Sequence, residues 1–244
     1  MGHLRFAMLV WSTLSVLGYV GSIRQKSRSL PLPFVLLRDI ATQYLAIFKK
    51  FRVVGAEHIP DSGPLILVAN HTTSYDPVCL QVACRERMIR FMEAREYYEQ
   101  KPLTYIYRAL RIIPVNRTGN DTASIRTALR ELSDNGCVGI FPEGKISDDG
   151  CLQEAHQGAA LLAMLSGAPV VPAYMRGTGG YSGMIRDFFR VNNVTLFFGP
   201  PIRFDDLRDR HREKEIREIA LKRIMDALAA LAAANGEPES QVAA

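Results

Sequence analysis

Two short stretches carry the residue types that chemistry needs. Asn70-His71-Thr72-Thr73-Ser74-Tyr75-Asp76-Pro77 places an imidazole five positions before a carboxylate, directly after the apolar run Leu65 to Ala69. Phe141-Pro142-Glu143-Gly144 places a second carboxylate at the end of another apolar run. An imidazole, a carboxylate to orient it and a further acid form a kit for activating a hydroxyl group. On one helix, residues five apart lie about 140° apart around the axis, so His71 and Asp76 would face away from each other. They meet only across a turn. A strand ending near Ala69 and a helix starting at Pro77 supply that turn. Asp76 then reaches back to one ring nitrogen and leaves the other to take a proton. The competing reading is specific. Asp76-Pro77 is a good helix start, with aspartate at the N-cap and proline at the first helical position, and His71 is then an ordinary loop histidine.

No covalent nucleophile accompanies the pair. The chain has no G-x-S-x-G, and Ser74 lies too near His71 on a turn to form a hydroxyl–imidazole pair. Direct attack by a substrate hydroxyl is the more economical route. Arg117 follows the short run Ile112 to Val115, and Lys145 follows Glu143-Gly144. Strand C-terminal ends in α/β sheets point into a shared crevice, where cations suit a phosphate. A solvated surface position is the commoner fate of any single Arg or Lys. Glu143 is open to three readings: contact with a substrate hydroxyl, a hold on Arg117, or an exposed turn. His58, His156 and His211 read as surface or capping residues. The four cysteines form no CxxC pair and no cluster at zinc spacing, so no metal site is expected. Cys79 and Cys137 read as buried small hydrophobes, and the usage suits a reducing, cytoplasmic setting. Gly177-Thr178-Gly179-Gly180 follows no dinucleotide-binding pattern and reads as a loop.

The elements that must position these residues alternate. Apolar runs at Leu65 to Ala69, Met88 to Met92, Ile112 to Val115, Cys137 to Phe141, Val170 to Tyr174 and Val194 to Phe198 read as strands. Val53 to Pro60 reads as a short strand and turn. Helices are predicted from Pro77 to Arg85, from Ala94 to Leu110 with a break at Pro102, from Asp121 to Asn135, from Gln157 to Leu165 and from Asp205 to Ala234. The alternation argues an α/β fold with a mostly parallel sheet flanked by helices. Residues 53–234 form that domain, and residues 235–244 are polar and small enough to read as a disordered tail.

Residues 1–52 read differently. Phe6 to Val20 is mostly apolar, with cations after it at Arg24, Lys26 and Arg28, and is short for a bilayer span of about 20 residues. A membrane-interface or re-entrant helix fits best; a core helix or a tilted span are the alternatives. Phe34 to Phe51 is a second helix with apolar residues at helical spacing and a basic end, Lys49-Lys50-Phe51-Arg52. Two such helices form an amphipathic, membrane-binding segment, and a hairpin packed on its own domain is the alternative. The formal net charge of +5 favours phosphates or acidic lipid as partners. Nothing in the pattern calls for nucleic acid.

Four ordered blocks between Gly55 and Pro201 resemble the glycerophospholipid acyltransferase family, the 1-acyl-glycerol-3-phosphate acyltransferase (PlsC-like) group. They are His71-x4-Asp76, Ile112 to Arg117, Phe141-Pro142-Glu143-Gly144 and Val170-Val171-Pro172-Ala173. The chain departs from the family in Lys145-Ile146-Ser147, where Thr-Arg-Ser is frequent, and in Thr73, where serine is frequent. The resemblance implies transfer of a fatty acyl group from acyl-CoA or acyl carrier protein to a lysophospholipid acceptor at the cytoplasmic face of the cell membrane. It needs no cofactor beyond that co-substrate. His71 would be the general base and Asp76 its orienting carboxylate. Arg117, Glu143, Gly144 and Lys145 would seat the acceptor. Glycerol-3-phosphate, another lysophospholipid or a lyso-aminolipid are alternative acceptors, and a non-catalytic membrane-binding protein is the alternative of another class.

Overall fold

The computed structural model describes residues 30–99, 101, 103–117, 121–147, 149–178 and 183–236. In chain order the helices are α1 (Leu32–Lys49), α2 (Asp76–Ala83), α3 (Arg95–Tyr98), α4 (Leu103–Ala109), α5 (Thr122–Ser133), α6 (Gly158–Ser166), α7 (Met184–Phe189) and α8 (Lys214–Ala234). The strands are β1 (Arg52–Val54), β2 (Leu65–Ala69), β3 (Ile89–Ala94), β4 (Ile113–Val115), β5 (Cys137–Ile140), β6 (Val170–Arg176) and β7 (Thr195–Phe198). They form one seven-stranded sheet in the order β1-β7-β6-β2-β5-β3-β4. All neighbouring pairs are parallel except β6 and β7. The mostly parallel α/β sheet read from the alternation is therefore observed.

The central strands are apolar throughout because both faces are covered, as parallel sheets require. Every residue of β2 is buried. Ile66 and Val68 join Val138, Ile140 and the buried sides of α5, α6 and α8 on one face. Leu65, Leu67 and Ala69 join α1, α2, Phe91 and Tyr75 on the other. This alternation along β2, with its 2-residue period, sends the chain out of the sheet at Asn70 between the two layers. The side-chain amide of Asn70 then acts as one more rung. It donates to the Met175 carbonyl at 3.1 Å and accepts from the Met175 N–H at 2.7 Å.

Several expectations shift. The helix predicted over Phe34 to Phe51 is Leu32–Lys49, because Lys50 turns left-handed (φ 41°) and ends it. The stretch Ala94 to Leu110 is two short helices, α3 and α4, on either side of the break predicted at Pro102. The C-terminal helix begins at Lys214, not Asp205: residues 205–213 are turns around a short 3-10 helix, Arg208–Arg210. Their charges pair locally, Arg203 with Asp205 and Arg210 with Glu213, rather than along a helix face. α7 has no counterpart in the sequence reading; six residues are too few for a periodic signal. Cys79, Cys84 and Cys137 are buried. The predicted helix over Phe6 to Val20 and the tail lie outside the described residues. Among the described residues, no helix is long and apolar enough to cross a membrane.

Candidate functional site

The site forms where β2 and β5 end side by side. Their parallel register runs from Leu65 opposite Cys137 to Val68 opposite Ile140, so Asn70-His71 and Phe141 leave the sheet together. The His71 ring stacks on the Phe141 ring at 4.1 Å between centroids, with 18° between planes. Phe141 in turn stacks on Phe91 of β3 at 5.9 Å. The imidazole is thus held flat by a column of rings rooted in the core. Gly139 makes the column possible. A Cβ there would lie 2.5 Å from Cδ1 of Phe91.

His71 Nδ1 lies 3.0 Å from Asp76 Oδ2, and the Asp76 side chain is completely buried. The turn between β2 and α2 brings them together, as the five-residue spacing demands. Asp76 does not cap α2. The cap residue is Tyr75, with no side-chain bond to the helix, and Asp76 and Pro77 are its first two residues. The carboxylate instead folds back on its own turn. Oδ2 accepts the Thr72 and Thr73 N–H groups at 2.6 and 2.8 Å, and Oδ1 accepts the Thr73 hydroxyl at 2.5 Å. Several donors thus converge on this one carboxylate and fix its orientation. It accepts the Nδ1 proton, which leaves the Nε2 lone pair as the base. Nε2 has no hydrogen-bond partner among the described residues.

Glu143 stands behind the histidine. It is 2% exposed, which removes the exposed-turn reading. Its Oε1 accepts the His71 N–H at 3.3 Å, and the Ser147 N–H closes on the His71 carbonyl at 2.7 Å. Glu143 makes no ion pair with Arg117 among the described residues. Burial, with the Asp76 charge adding to it, pushes its carboxyl up to about 8, against the restraint of the His71 N–H. Its protonated form is therefore favoured well beyond the usual carboxylate range. Oε2 is buried without a partner among the described residues. Gly144 adopts φ 66°, the left-handed conformation glycine takes without strain, and closes the turn by donating to the Phe141 carbonyl.

Arg117 lies two residues beyond β4, exposed, with its guanidinium 5.8 Å from the Tyr97 ring centre. Its loop is pinned by Asp121, which accepts the Asn116 N–H at 2.6 Å and caps α5 through the Ser124 N–H at 3.1 Å. Lys145 is exposed on the turn after Gly144 and makes no ion pair among the described residues. The structure therefore brings His71, Asp76 and Glu143 into contact, and places Arg117 and Lys145 on the separate exposed turns that follow β4 and β5.

Residues 50–176, about half of the chain, match the family model described as Acyltransferase. The chain belongs to the acyltransferase family. It is 27% identical over 179 residues to the 1-acyl-sn-glycerol-3-phosphate acyltransferase of Bacillus subtilis, covering 72% of this chain and 86% of that protein. It is also 27% identical over 150 residues to the human 1-acyl-sn-glycerol-3-phosphate acyltransferase beta (60% and 54% covered). For the Streptococcus pneumoniae 1-acyl-sn-glycerol-3-phosphate acyltransferase the identity is 26% over 150 residues (61% and 53%). The chain thus aligns with about half of the last two proteins. The crystal structure of the 1-acyl-sn-glycerophosphate acyltransferase PlsC from Thermotoga maritima shares the fold. Its TM-score is 0.62 at 20% identity, over 90% of this chain and 91% of that one.

The acyltransferase site holds residues that the sequence did not single out. Glu93 is one. It lies two residues beyond Phe91 on β3, hence on the same face as the ring column, and pairs with Pro114 three residues before Arg117. Burial raises its carboxyl pKa, while the Ala94 N–H and the charges of His71 and Arg117 hold it down. Phe141 and Asn70 were within the quoted blocks, but their contacts are with β3 and β6. No local pattern reveals a stack or an amide rung made with strands so distant in sequence.

Proposed function

We propose that the protein transfers a fatty acyl group from an acyl thioester, acyl-CoA or acyl carrier protein, to the free hydroxyl of 1-acyl-glycerol-3-phosphate, giving phosphatidic acid. The observation that carries this reading is the imidazole itself. It is stacked on Phe141, has Nδ1 on a fully buried and multiply hydrogen-bonded Asp76, and has no partner for Nε2 among the described residues. Membership of the acyltransferase family and the named activities of the relatives support the choice of donor and acceptor.

In this reading the acceptor hydroxyl lies against Nε2. His71 takes its proton as the oxygen attacks the thioester carbonyl, and Asp76 stabilises the imidazolium that forms. The C–S bond breaks as the tetrahedral intermediate collapses, and the thiolate leaves readily because its conjugate acid has a pKa near 8.5, as a simple side-chain thiol does. The imidazolium returns a proton to the thiolate, so His71 ends as it began. Arg117 holds the acceptor phosphate, Glu143 keeps the His71 backbone in place, and Gly144 and Lys145 line the approach. The acyl thioester is the only co-substrate of this route. An insoluble acceptor places the enzyme at the membrane, with residues 1–52 as its membrane-binding segment and the cytoplasmic face, where acyl thioesters are supplied, as its side.

The test is incubation of the purified chain with labelled acyl-CoA or acyl carrier protein and a panel of acceptors. The panel holds 1-acyl-glycerol-3-phosphate, glycerol-3-phosphate, other lysophospholipids and a lyso-aminolipid. Phosphatidic acid is the expected product. His71→Ala should remove transfer by about 10³-fold or more while leaving the melting temperature near that of the parent. Preference for a phosphate-free acceptor would overturn the acceptor assignment, and substantial transfer by folded His71→Ala would overturn the base.

A further inference from the structure

The fold splits the basic end of α1. Lys50 and Arg52 are exposed, whereas Lys49, the last residue of the helix, is completely buried. A lysine is almost never buried unless its ammonium finds partners. Lys49 finds them on a distant segment. It donates to the carbonyls of Asp187 and Arg190, both at 2.6 Å. Asp187 lies in the last turn of α7 and Arg190 caps it, where carbonyls lack helical partners and a cation is favoured. The backbone joins the same segment. The Lys49 carbonyl accepts the Val194 N–H at 2.9 Å, and the Phe48 carbonyl accepts the Asn192 N–H at 3.1 Å.

Capping α7 would need no more than this, yet the ammonium also lies 4.4 Å from the centre of the Tyr75 ring. Tyr75 is buried, caps α2 and immediately precedes Asp76. Its hydroxyl accepts from Asn192 Nδ2 at 3.2 Å. The same amide donates to the Gly177 and Thr178 carbonyls at 2.7 and 3.1 Å. The Thr178 and Thr72 hydroxyls are 2.8 Å apart, and the Thr72 N–H donates to Asp76 at 2.6 Å. The contacts therefore run from Lys49 through Tyr75, Asn192, Thr178 and Thr72 to Asp76. Thr72 and Tyr75 flank the two ends of the turn between His71 and Asp76, so the turn is held at both ends.

We propose that Lys49 is a positioning residue for acyl transfer: its ammonium fixes the Tyr75 ring against the α7 segment, and with it the turn on which His71 and Asp76 meet. A desolvated cation over an aromatic face is held more firmly than an exposed one. Lys49 acts through Tyr75, so its loss lowers kcat and leaves KM unchanged. A cation that only capped α7 would change stability and not kcat. The proposal rests on the reading of His71 as the base.

The experiment compares Lys49→Met, which removes the charge and the donors, with Lys49→Arg, which keeps a cation. Tyr75→Phe and Tyr75→Leu separate the ring from its hydroxyl. Leu228→Ala, in the opposite layer, controls for plain loss of stability. Each full chain is assayed at a temperature where circular dichroism shows it folded. One readout is kcat and KM for transfer from acyl-CoA to 1-acyl-glycerol-3-phosphate. The other needs no turnover: exchange of the His71 Nδ1 proton with water, by nuclear magnetic resonance on the isotope-labelled chain. Lys49→Met should lower kcat by about tenfold or more with both KM values unchanged, since small displacements of a reacting group cost that much. Exchange of the Nδ1 proton should quicken in the same variant. Lys49→Arg should recover most of both readouts, and Tyr75→Phe should stay close to the parent. Tyr75→Leu should behave as Lys49→Met does, and the two changes together should do no more than either alone. Parental kcat and exchange in folded Lys49→Met overturn the proposal. So do additive effects in the double variant, or the same changes in Leu228→Ala. If Lys49→Met does not fold, the tyrosine variants decide: Tyr75→Leu equal to Tyr75→Phe in both readouts overturns it. Absence of transfer by the parent on every acceptor, with the exchange difference intact, would overturn the enzymatic reading and leave the positioning of the His71–Asp76 pair standing.

Discussion

At the scale of single residues, Asp76 is the group on which the site depends. Its carboxylate satisfies two backbone N–H groups, one hydroxyl and the His71 ring at once. Thr73→Val removes the hydroxyl and keeps the shape. A hydrogen bond to a charged group contributes about 1.5–3 kcal/mol, so the variant should lose about that much stability in urea titration. Its kcat should fall about tenfold or more as Asp76 loosens, with KM for the acceptor little changed. A raised KM for the acceptor with kcat unchanged would point instead to a Thr73 contact with the acceptor. Glu143 gives a second test. Its folded pKa is about 8, raised above the unfolded value by burial. The native state then binds the extra proton between about pH 4.5 and 8, so this group's contribution is full below that window and is lost as pH rises through it. The parent's melting temperature should fall across this range relative to Glu143→Gln, which cannot ionise. Parallel curves for the two proteins would show that Glu143 is ionised in the fold. The sequence made His71 and Asp76 legible because their contact is local. It also left a helix-cap reading of Asp76 open, because Asp-Pro carries that signal whichever way the carboxylate turns. Glu93 was silent because its neighbours, His71 and Arg117, arrive from other strands.

At the scale of elements, the β3–β5 contact positions the His71 ring. Phe91 crosses β5 over Gly139 and supports Phe141, which supports His71. Gly139→Ala would push a methyl group into both Phe91 and Ile89. Overpacking of this kind costs about 1–3 kcal/mol, visible as a lower midpoint in urea. Because the displaced ring carries the column, kcat should fall as well. Phe91→Leu added to Gly139→Ala relieves the crowding, so the pair should be more stable than the sum of the single effects. Simple additivity in that cycle would mean that the column is not mechanically continuous. Strand existence was legible here from apolar runs, and β2 matches its predicted bounds, Leu65–Ala69. The need for glycine at 139 was not, because it arises from a ring on a neighbouring strand. The helix ends were misplaced where charges pair locally, as at residues 205–213, since charged side chains without an apolar stripe do not say whether the backbone is helical.

At the scale of the whole molecule, the sheet separates two duties. One face carries α5, α6 and α8 in a large apolar layer; the other carries α1, α2, Tyr75 and the ring column that ends at His71. The alternation of elements made the parallel sheet legible, but not the strand order or the reversed direction of β7, which depend on pairing between distant segments. The division predicts that equal losses of packing have unequal functional effects. Leu228 of α8 and Leu45 of α1 are both completely buried, in opposite layers. Leu→Ala in a core costs about 2–5 kcal/mol, so both variants should melt at lower temperature. Leu228→Ala should nevertheless keep the parent's kcat and its pH–rate profile when assayed well below its melting temperature, because its layer covers the face of the sheet opposite Tyr75 and the ring column. Leu45→Ala loosens the helix that ends in Lys49, whose ammonium bonds the α7 loop and lies over Tyr75. It should lose kcat as well as stability. The comparison is decided by kcat at one temperature where both variants are fully folded. Equal kcat in the two would mean that α1 is a structural cover only, and that the coupling through Lys49 does not reach the base.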